Sequence, residues 1–264
     1  MGRIQATFER LQQRGETALI PFITAGDPDL ATTEELIHAM VESGADLVEL
    51  GFPFSDPMAD GPTIQAASER ALASGTTLTG VLEMVSRVRQ HTNIPIVLMG
   101  YYNPVFIYGA ERFAADAARA GIDGLLLVDL PPEEDGELHG PMHQAGICLI
   151  RLLAPTTPVA RVDSLIARGE GFLYYVSMTG VTGSRQVDAE AIELEVRELR
   201  RRSSLPVAVG FGISSPADAT AVGSFADAVV VGSALVKVIA EVGASPELVP
   251  QVKTFVRAFK DGLR

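Results

Sequence analysis

Glu49 stands inside the apolar run 46–51 (DLVELG), where an ionised carboxylate is costly unless it is paired, hydrogen-bonded or protonated. Arg151, in another apolar run, is the obvious partner for a structural ion pair. The alternative is a general acid/base whose pKa is raised by its apolar walls. The segment that follows, 51–62 (GFPFSDPMADGP), packs three prolines, two glycines and two aspartates into one loop. Such a loop is stiff in places and hinged in others, as active-site lids are. It returns a second carboxylate, Asp60, toward Glu49. One carboxylate deep and one on a lid are what paired proton transfers require. A solvated loop with two aspartates is the plainer reading, and Glu49 weighs against it.

A second constellation is rich in glycine: Gly180-Val181-Thr182-Gly183, Gly210-Phe211-Gly212-Ile213-Ser214 and Gly232-Ser233, each following an apolar run. Bare backbone N–H groups and helix N-termini at such places can converge on an anion, although single glycines also serve tight turns. No lysine or arginine stands beside the last two loops, so the anion would be held mainly by backbone dipoles. Phe22, Tyr101, Leu126, Tyr174 and Phe211 at the run ends offer flat apolar surface for an aromatic substrate portion. The three lysines, Lys237, Lys253 and Lys260, all lie in the last stretch of chain, which leaves none at a strand end for a Schiff base. The four histidines, His38, His91, His139 and His143, have no acidic ligand cluster beside them, and Gly140-Pro141 separates the last two. No metal site is expected. The chemistry left is carboxylate acid/base work on a phosphorylated small molecule.

The elements that must position these groups alternate along the whole chain. Eight apolar runs, at 18–24, 46–51, 94–100, 124–130, 148–153, 172–177, 206–211 and 227–231, read as parallel strands covered on both faces. Between them, 30–43, 77–90, 111–120, 159–168, 188–202 and 216–222 carry apolar residues three or four apart, as helices do. Asp27-Pro28-Asp29, Thr156-Thr157-Pro158 and Ser214-Ser215-Pro216 are helix-start signals. Ser43-Gly44-Ala45-Asp46, Ala120-Gly121-Ile122-Asp123 and Ser224-Phe225-Ala226-Asp227 each end a helix and lead into a strand. The pattern predicts an α/β fold, a single-domain (β/α)8 TIM barrel over 1–264 with an N-terminal helix and a long active-site loop after strand 2. A doubly wound sheet is the rival, but the turn after the first run lacks the dinucleotide fingerprint.

Composition agrees with that class. The 264 residues are 47% hydrophobic and 20% charged, enough to bury a large core without disulfide or metal. One cysteine, Cys148, excludes an intrachain disulfide, and a net charge of −12 argues against nucleic acid as a partner. No apolar stretch reaches membrane-spanning length, and the N-terminus has no signal-peptide layout. A cytoplasmic protein with no membrane partner is the expectation.

Glu49-Leu50-Gly51-Phe52-Pro53-Phe54-Ser55-Asp56-Pro57 with Ala59-Asp60-Gly61-Pro62-Thr63-Ile64-Gln65 resembles the signature of the tryptophan synthase alpha chain family. So do Tyr101-Tyr102-Asn103-Pro104, Asp129-Leu130-Pro131 and the first two glycine motifs, in the same order over essentially the whole chain. Met58 stands where the family has leucine, a volume-conserving exchange.

The resemblance implies retro-aldol cleavage of indole-3-glycerol phosphate to indole and glyceraldehyde 3-phosphate. It assigns Glu49 as the acid/base, Asp60 to the indole N–H, and Tyr174 a place beside Glu49. Phe22, Tyr101, Leu126 and Phe211 would wall the indole; Gly183, Gly212, Gly232 and Ser233 would hold the phosphate. It also implies a beta chain partner in an α2β2 assembly, with pyridoxal phosphate in that partner and no cofactor in this chain. The loop from Pro53 to Asp60 and the region of Asn103-Pro104 would face the partner, and the loop holding Thr182-Gly183 would close over substrate. A freestanding lyase of the same chemistry stays open. A barrel that only activates a partner is disfavoured by the presence of both Glu49 and Asp60.

Overall fold

The computed structural model describes residues 2–176, 189–210 and 212–263. Its strands are β1 (Ala18–Thr24), β2 (Val48–Gly51), β3 (Ile96–Gly100), β4 (Gly124–Leu127), β5 in two segments (Cys148–Leu149 and Arg151–Leu153), β6 (Leu173–Val176), β7 (Val207–Gly210) and β8 (Ala228–Val231). The helices are α1 (Arg3–Arg14), α2 (Leu30–Glu42), α3 (Pro62–Ala73), α4 (Leu78–Val88), α5 (Tyr102–Tyr108), α6 (Ala110–Ala120), α7 (Gly136–Gln144), α8 (Val159–Ala167), α9 (Ala189–Arg202), α10 (Pro216–Gly223), α11 (Ser233–Val242) and α12 (Leu248–Asp261). Every strand pairing is parallel, and β1 lies between β2 and β8. The first segment of β5 pairs with β4 and the second with β6, so one interrupted strand closes the ring. This is the expected (β/α)8 barrel.

Strand residues are apolar on both faces because each face has its own core. Ile20, Val97, Leu126, Phe172, Tyr174 and Val230 point inward, and Ile4, Phe8 and Leu11 of α1 pack against that inner cluster. The rings of Phe8 and Phe172 lie 5.8 Å apart, so the N-terminal helix plugs one end of the barrel. The alternate residues, such as Leu19, Val48, Leu98 and Val209, face the surrounding helices.

The plugged end carries a repeated polar device. Asp46 accepts a hydrogen bond from the Leu19 N–H at 2.9 Å, Asp123 from Ile96 N–H at 2.9 Å, Glu170 from Leu149 N–H at 2.8 Å, and Asp227 from Val207 N–H at 2.9 Å. Each carboxylate stands just before an even-numbered strand and serves the odd-numbered strand before it. Each also has a basic neighbour: Lys260 on Asp46 at 2.7 Å, Arg89 on Asp123 at 3.0 Å, His143 against Glu170 at 3.1 Å, and Arg200 on Asp227 at 2.8 Å. The expected strands at 46–51 and 227–231 therefore begin later, at Val48 and Ala228. Their leading aspartates are clamps.

Helix starts differ in kind. Asp29 caps α2 by accepting from Thr32 N–H, and Ser215 with Asp218 forms a capping box on α10. At Thr156-Thr157-Pro158 the expected cap is absent, because the Thr157 hydroxyl binds the Ala154 N–H instead. Gly44 and Gly121 stop their helices with φ of 100° and 88°, as the sequence requires. The helix α7 runs through Pro141 and stacks His139 on His143 at 6.0 Å.

Candidate active site

The C-terminal strand ends open at the face opposite α1, where the active sites of such barrels lie. Glu49 of β2 points inward, level with Phe22 of β1 and Val97 of β3, and is only 2% exposed. Its Oε2 accepts a hydrogen bond from the Tyr174 hydroxyl at 3.5 Å, and its Oε1 is buried with no hydrogen-bond partner among the described residues. Removal from water pushes the Glu49 carboxyl up to about 8; the Tyr174 hydrogen bond opposes that rise and the nearby charge of Asp60 adds to it.

Arg151 does not partner Glu49. Ile150 and Leu152 on either side belong to the inner core, which turns Arg151 outward. There it forms a buried ion pair with Asp135, a residue of the loop before α7, and donates to the Arg168 carbonyl at 3.3 Å. The structural reading of Glu49 loses its cation.

Asp60 arrives on the lid between β2 and α3. Loss of water around it pushes its carboxyl up to about 6, against a hydrogen bond from Tyr101. The Tyr101 hydroxyl also accepts from the Ala59 N–H at 2.9 Å, and its ring lies 5.3 Å from that of Phe54. Tyr101 is thus both a wall and a latch on the lid. The cleft between lid and barrel is lined by Phe22, Thr24, Phe54, Asp60, Ile64, Met99, Tyr101 and Val128.

Missing side chains shape this mouth. A Cβ on Gly51 would lie 2.7 Å from the Phe22 ring, and one on Gly210 would lie 2.4 Å from the Tyr174 hydroxyl. Phe22 and Tyr174 occupy the space those glycines leave. Leu126, expected as a wall, is completely buried in the inner core with Tyr174. Thr24, Met99 and Val128 also line the cleft and carry no chemical signal in the sequence beyond the inward alternation along β1, β3 and past β4.

Of the expected anion cradle, Gly183 lies outside the described residues, as does the expected wall Phe211. Gly212 is exposed with φ of 76°. The start of α10 is satisfied internally, since Asp218 accepts from the N–H groups of Ser214 at 3.1 Å and Ser215 at 2.9 Å. The start of α11 differs: Gly232 is its N-cap, with no side-chain cap, and Ser233 is its exposed first residue. A Cβ on Gly232 would come within 3.6 Å of Phe22, which places this helix start beside the mouth. First-turn N–H groups have no intrahelical partner and favour an anion.

Comparison with known proteins bears on the same face. The sequence profile of the family described as "Tryptophan synthase alpha chain" matches residues 8–264. Among curated relatives, the tryptophan synthase alpha chain of Citrifermentans bemidjiense is 57% identical over 263 residues, covering 100% of this chain and 98% of the relative. That of Geobacter sulfurreducens is 54% identical, covering 100% and 99%. Among solved structures, tryptophan synthase subunit alpha from Legionella pneumophila str. Paris superposes with a TM-score of 0.93 at 40% identity, covering 100% of this chain and 98% of that one. A chain of M. tuberculosis tryptophan synthase in its aminoacrylate-bound form gives 0.89 at 32% identity, covering 100% of each. With barrel, lid and carboxylates in place, these matches along its whole length show that the chain belongs to the tryptophan synthase alpha chain family.

Proposed function

We propose that this chain, a carbon–carbon lyase built as one barrel domain, cleaves indole-3-glycerol phosphate to indole and glyceraldehyde 3-phosphate in tryptophan biosynthesis. The observation that carries the reading is the pair of carboxylates with no cation beside them among the described residues, one deep in apolar surroundings and one on the lid. At neutral pH Glu49 holds a proton and Asp60 is ionised, since their carboxyls titrate near 8 and 6.

Protonated Glu49 delivers its proton to indole C3, which makes the ring a leaving group. Asp60 accepts the indole N–H and balances the positive charge that develops there. The Glu49 carboxylate then takes the proton of the side-chain hydroxyl as the C–C bond breaks, leaving an aldehyde and regenerating the acid. Tyr174 keeps the carboxylate oriented by donating to Oε2. Phe22 and Tyr101 flank the ring, and the α11 start at Gly232 and Ser233 supports the phosphate, with Gly212 and Gly183 as further backbone donors. Phosphate binding away from the scissile bond fixes the alignment that proton transfer needs.

A beta chain partner, in an α2β2 assembly, is part of this reading. Of the large apolar residues most exposed to solvent, Met58 (87%) lies on the lid and Phe106 (59%) and Ile107 (76%) on α5, the two segments expected to face it. Incubation with indole-3-glycerol phosphate, with and without a tryptophan synthase beta chain, while following indole, tests both parts. Slow cleavage accelerated by the beta chain is expected; no indole in either arm refutes the activity, and full activity alone favours a freestanding lyase.

A further inference from the structure

The lid ends where α3 begins, and the first turn of α3 reaches back over it. Gly61 is the N-cap and Pro62 stands at the first position, so neither offers a side chain to hold the lid. Helical side chains lean toward their own N-terminus, and this carries the Gln65 amide back onto the segment it follows. Its Nε2 donates to the Asp60 carbonyl at 2.8 Å and to the Pro57 carbonyl at 3.3 Å. The Pro57 carbonyl also accepts from the Asp60 N–H at 3.0 Å, so residues 57–60 form a closed turn. Gln65 grips both ends of that turn. Both acceptors are carbonyl oxygens, which fixes the amide with nitrogen toward the lid; a glutamate of the same shape cannot donate there when ionised.

The grip is anchored at its base. Arg70, on the same helix, makes two hydrogen bonds to the buried Asp27, at 2.8 and 2.7 Å, and Ser74 donates to the Gly26 carbonyl at 3.0 Å. These tie α3 to the turn after β1. On the other side of the lid, the Tyr101 hydroxyl holds the Ala59 N–H. The carboxylate of Asp60 is therefore carried by a short turn clamped from α3 and from the end of β3.

We propose that Gln65 is a positioning residue for Asp60, its side-chain amide holding the 57–60 turn so that the carboxylate faces the reacting ring. The proposal rests on the lyase reading above, which gives Asp60 its task. Gln65 touches neither substrate nor reacting atoms; it acts through the lid backbone.

Gln65→Leu and Gln65→Met keep the volume and remove the donor. In each, kcat for indole release falls about ten- to a hundredfold, the cost of a misplaced catalytic group, while KM stays within about threefold because the phosphate site is elsewhere. Amide hydrogen exchange of residues 58–61 speeds up about tenfold, as expected from losing one or two hydrogen bonds. In Gln65→Glu the lid's protection factors are low when the new carboxylate is ionised and recover when it is protonated and can donate again. A merely structural role in α3 would lower Tm and raise KM without that pH signature. Unchanged kcat or unchanged lid exchange in both apolar variants overturns the proposal. If the unaltered chain releases no indole yet lid exchange rises in the variants, the lyase reading falls while the hold of Gln65 on the lid is confirmed.

Discussion

The two ends of the barrel treat carboxylates in opposite ways. At the end plugged by α1, Asp46, Asp123, Glu170 and Asp227 each take a strand N–H and face a basic side chain. At the other end Glu49 is buried with one oxygen lacking a hydrogen-bond partner among the described residues, and Asp60 has a phenol. Where the neighbour is Lys260, Arg89 or Arg200, the first arrangement holds charge fixed and compensated, which suits a scaffold. The second leaves two carboxyls free to exchange protons near neutral pH, which suits acid/base chemistry. Burial alone does not separate the ends, since Asp46 and Asp123 are buried too; compensation does.

The sharpest way to break the contrast is to neutralise the uncompensated end. Glu49→Gln or Asp60→Asn should lower the single-turnover rate of indole release by about 10²–10⁴, the usual contribution of a positioned acid or base. Substrate binding, followed by calorimetry, should persist, because the phosphate contacts are untouched. Cleavage at the normal rate in either variant would refute the mechanism.

The same operation at the compensated end should do the reverse. Asp46→Ala takes from the buried Lys260 its nearest carboxylate, leaving it only Glu16 at 3.9 Å and the Thr17 carbonyl at 3.4 Å, and unpairs the Leu19 N–H. Loss of one partner of a buried pair costs up to about 3–5 kcal/mol when the other is left uncompensated, and Glu16 and the Thr17 carbonyl reduce that here. Urea unfolding should show that loss, while kcat per folded molecule stays near its original value. A matching fall in kcat would mean that the two ends are coupled.

Much of this contrast was legible in the sequence, and the gaps have physical causes. Glu49 was conspicuous because an acid in an apolar run is anomalous, and the eight-run alternation was enough for the barrel. Whether Glu49 had a cation was not legible: Arg151 was the obvious candidate, and its actual partner Asp135 sits in a loop whose path no periodicity describes. Asp46, Asp123 and Asp227 were visible as an echo, but Glu170 was not, since it differs in residue type. The helix starts after β7 and β8 looked alike as glycine motifs; only side-chain geometry shows Asp218 filling the first. Gln65 stood within the family-like motif, yet its role depends on α3 turning back over the lid.

Stability against pH sharpens the comparison further. Burial raises the Glu49 carboxyl from 4.5 to about 8, so the folded state binds this proton more tightly than the unfolded state. The stability it confers is full below about 4.5, declines as pH rises toward 8, and is flat above that. Glutamine does not titrate. Glu49→Gln should therefore gain stability over the parent across that window, by a few kcal/mol at pH 9, and lose the advantage at pH 4. Thermal melts at the two pH values read this directly; a constant difference would place the Glu49 pKa in the ordinary range.

The smallest effect tests how the two carboxyls sense each other. Activity as kcat/KM should be bell-shaped, falling below about 6 as Asp60 gains its proton and above about 8 as Glu49 loses its own. The neighbouring Asp60 charge raises Glu49, so in the residual activity of Asp60→Asn the alkaline limb should move down and the acid limb should vanish. The Tyr174 hydroxyl donates to the Glu49 carboxylate and lowers its pKa. Tyr174→Phe should therefore move the alkaline limb up, and at 3.5 Å the bond is long enough to limit that shift to about one pH unit or less. Opposite displacements from these two substitutions would show that Glu49 is tuned by both neighbours. Displacements in the same direction would mean that the limb belongs to another group.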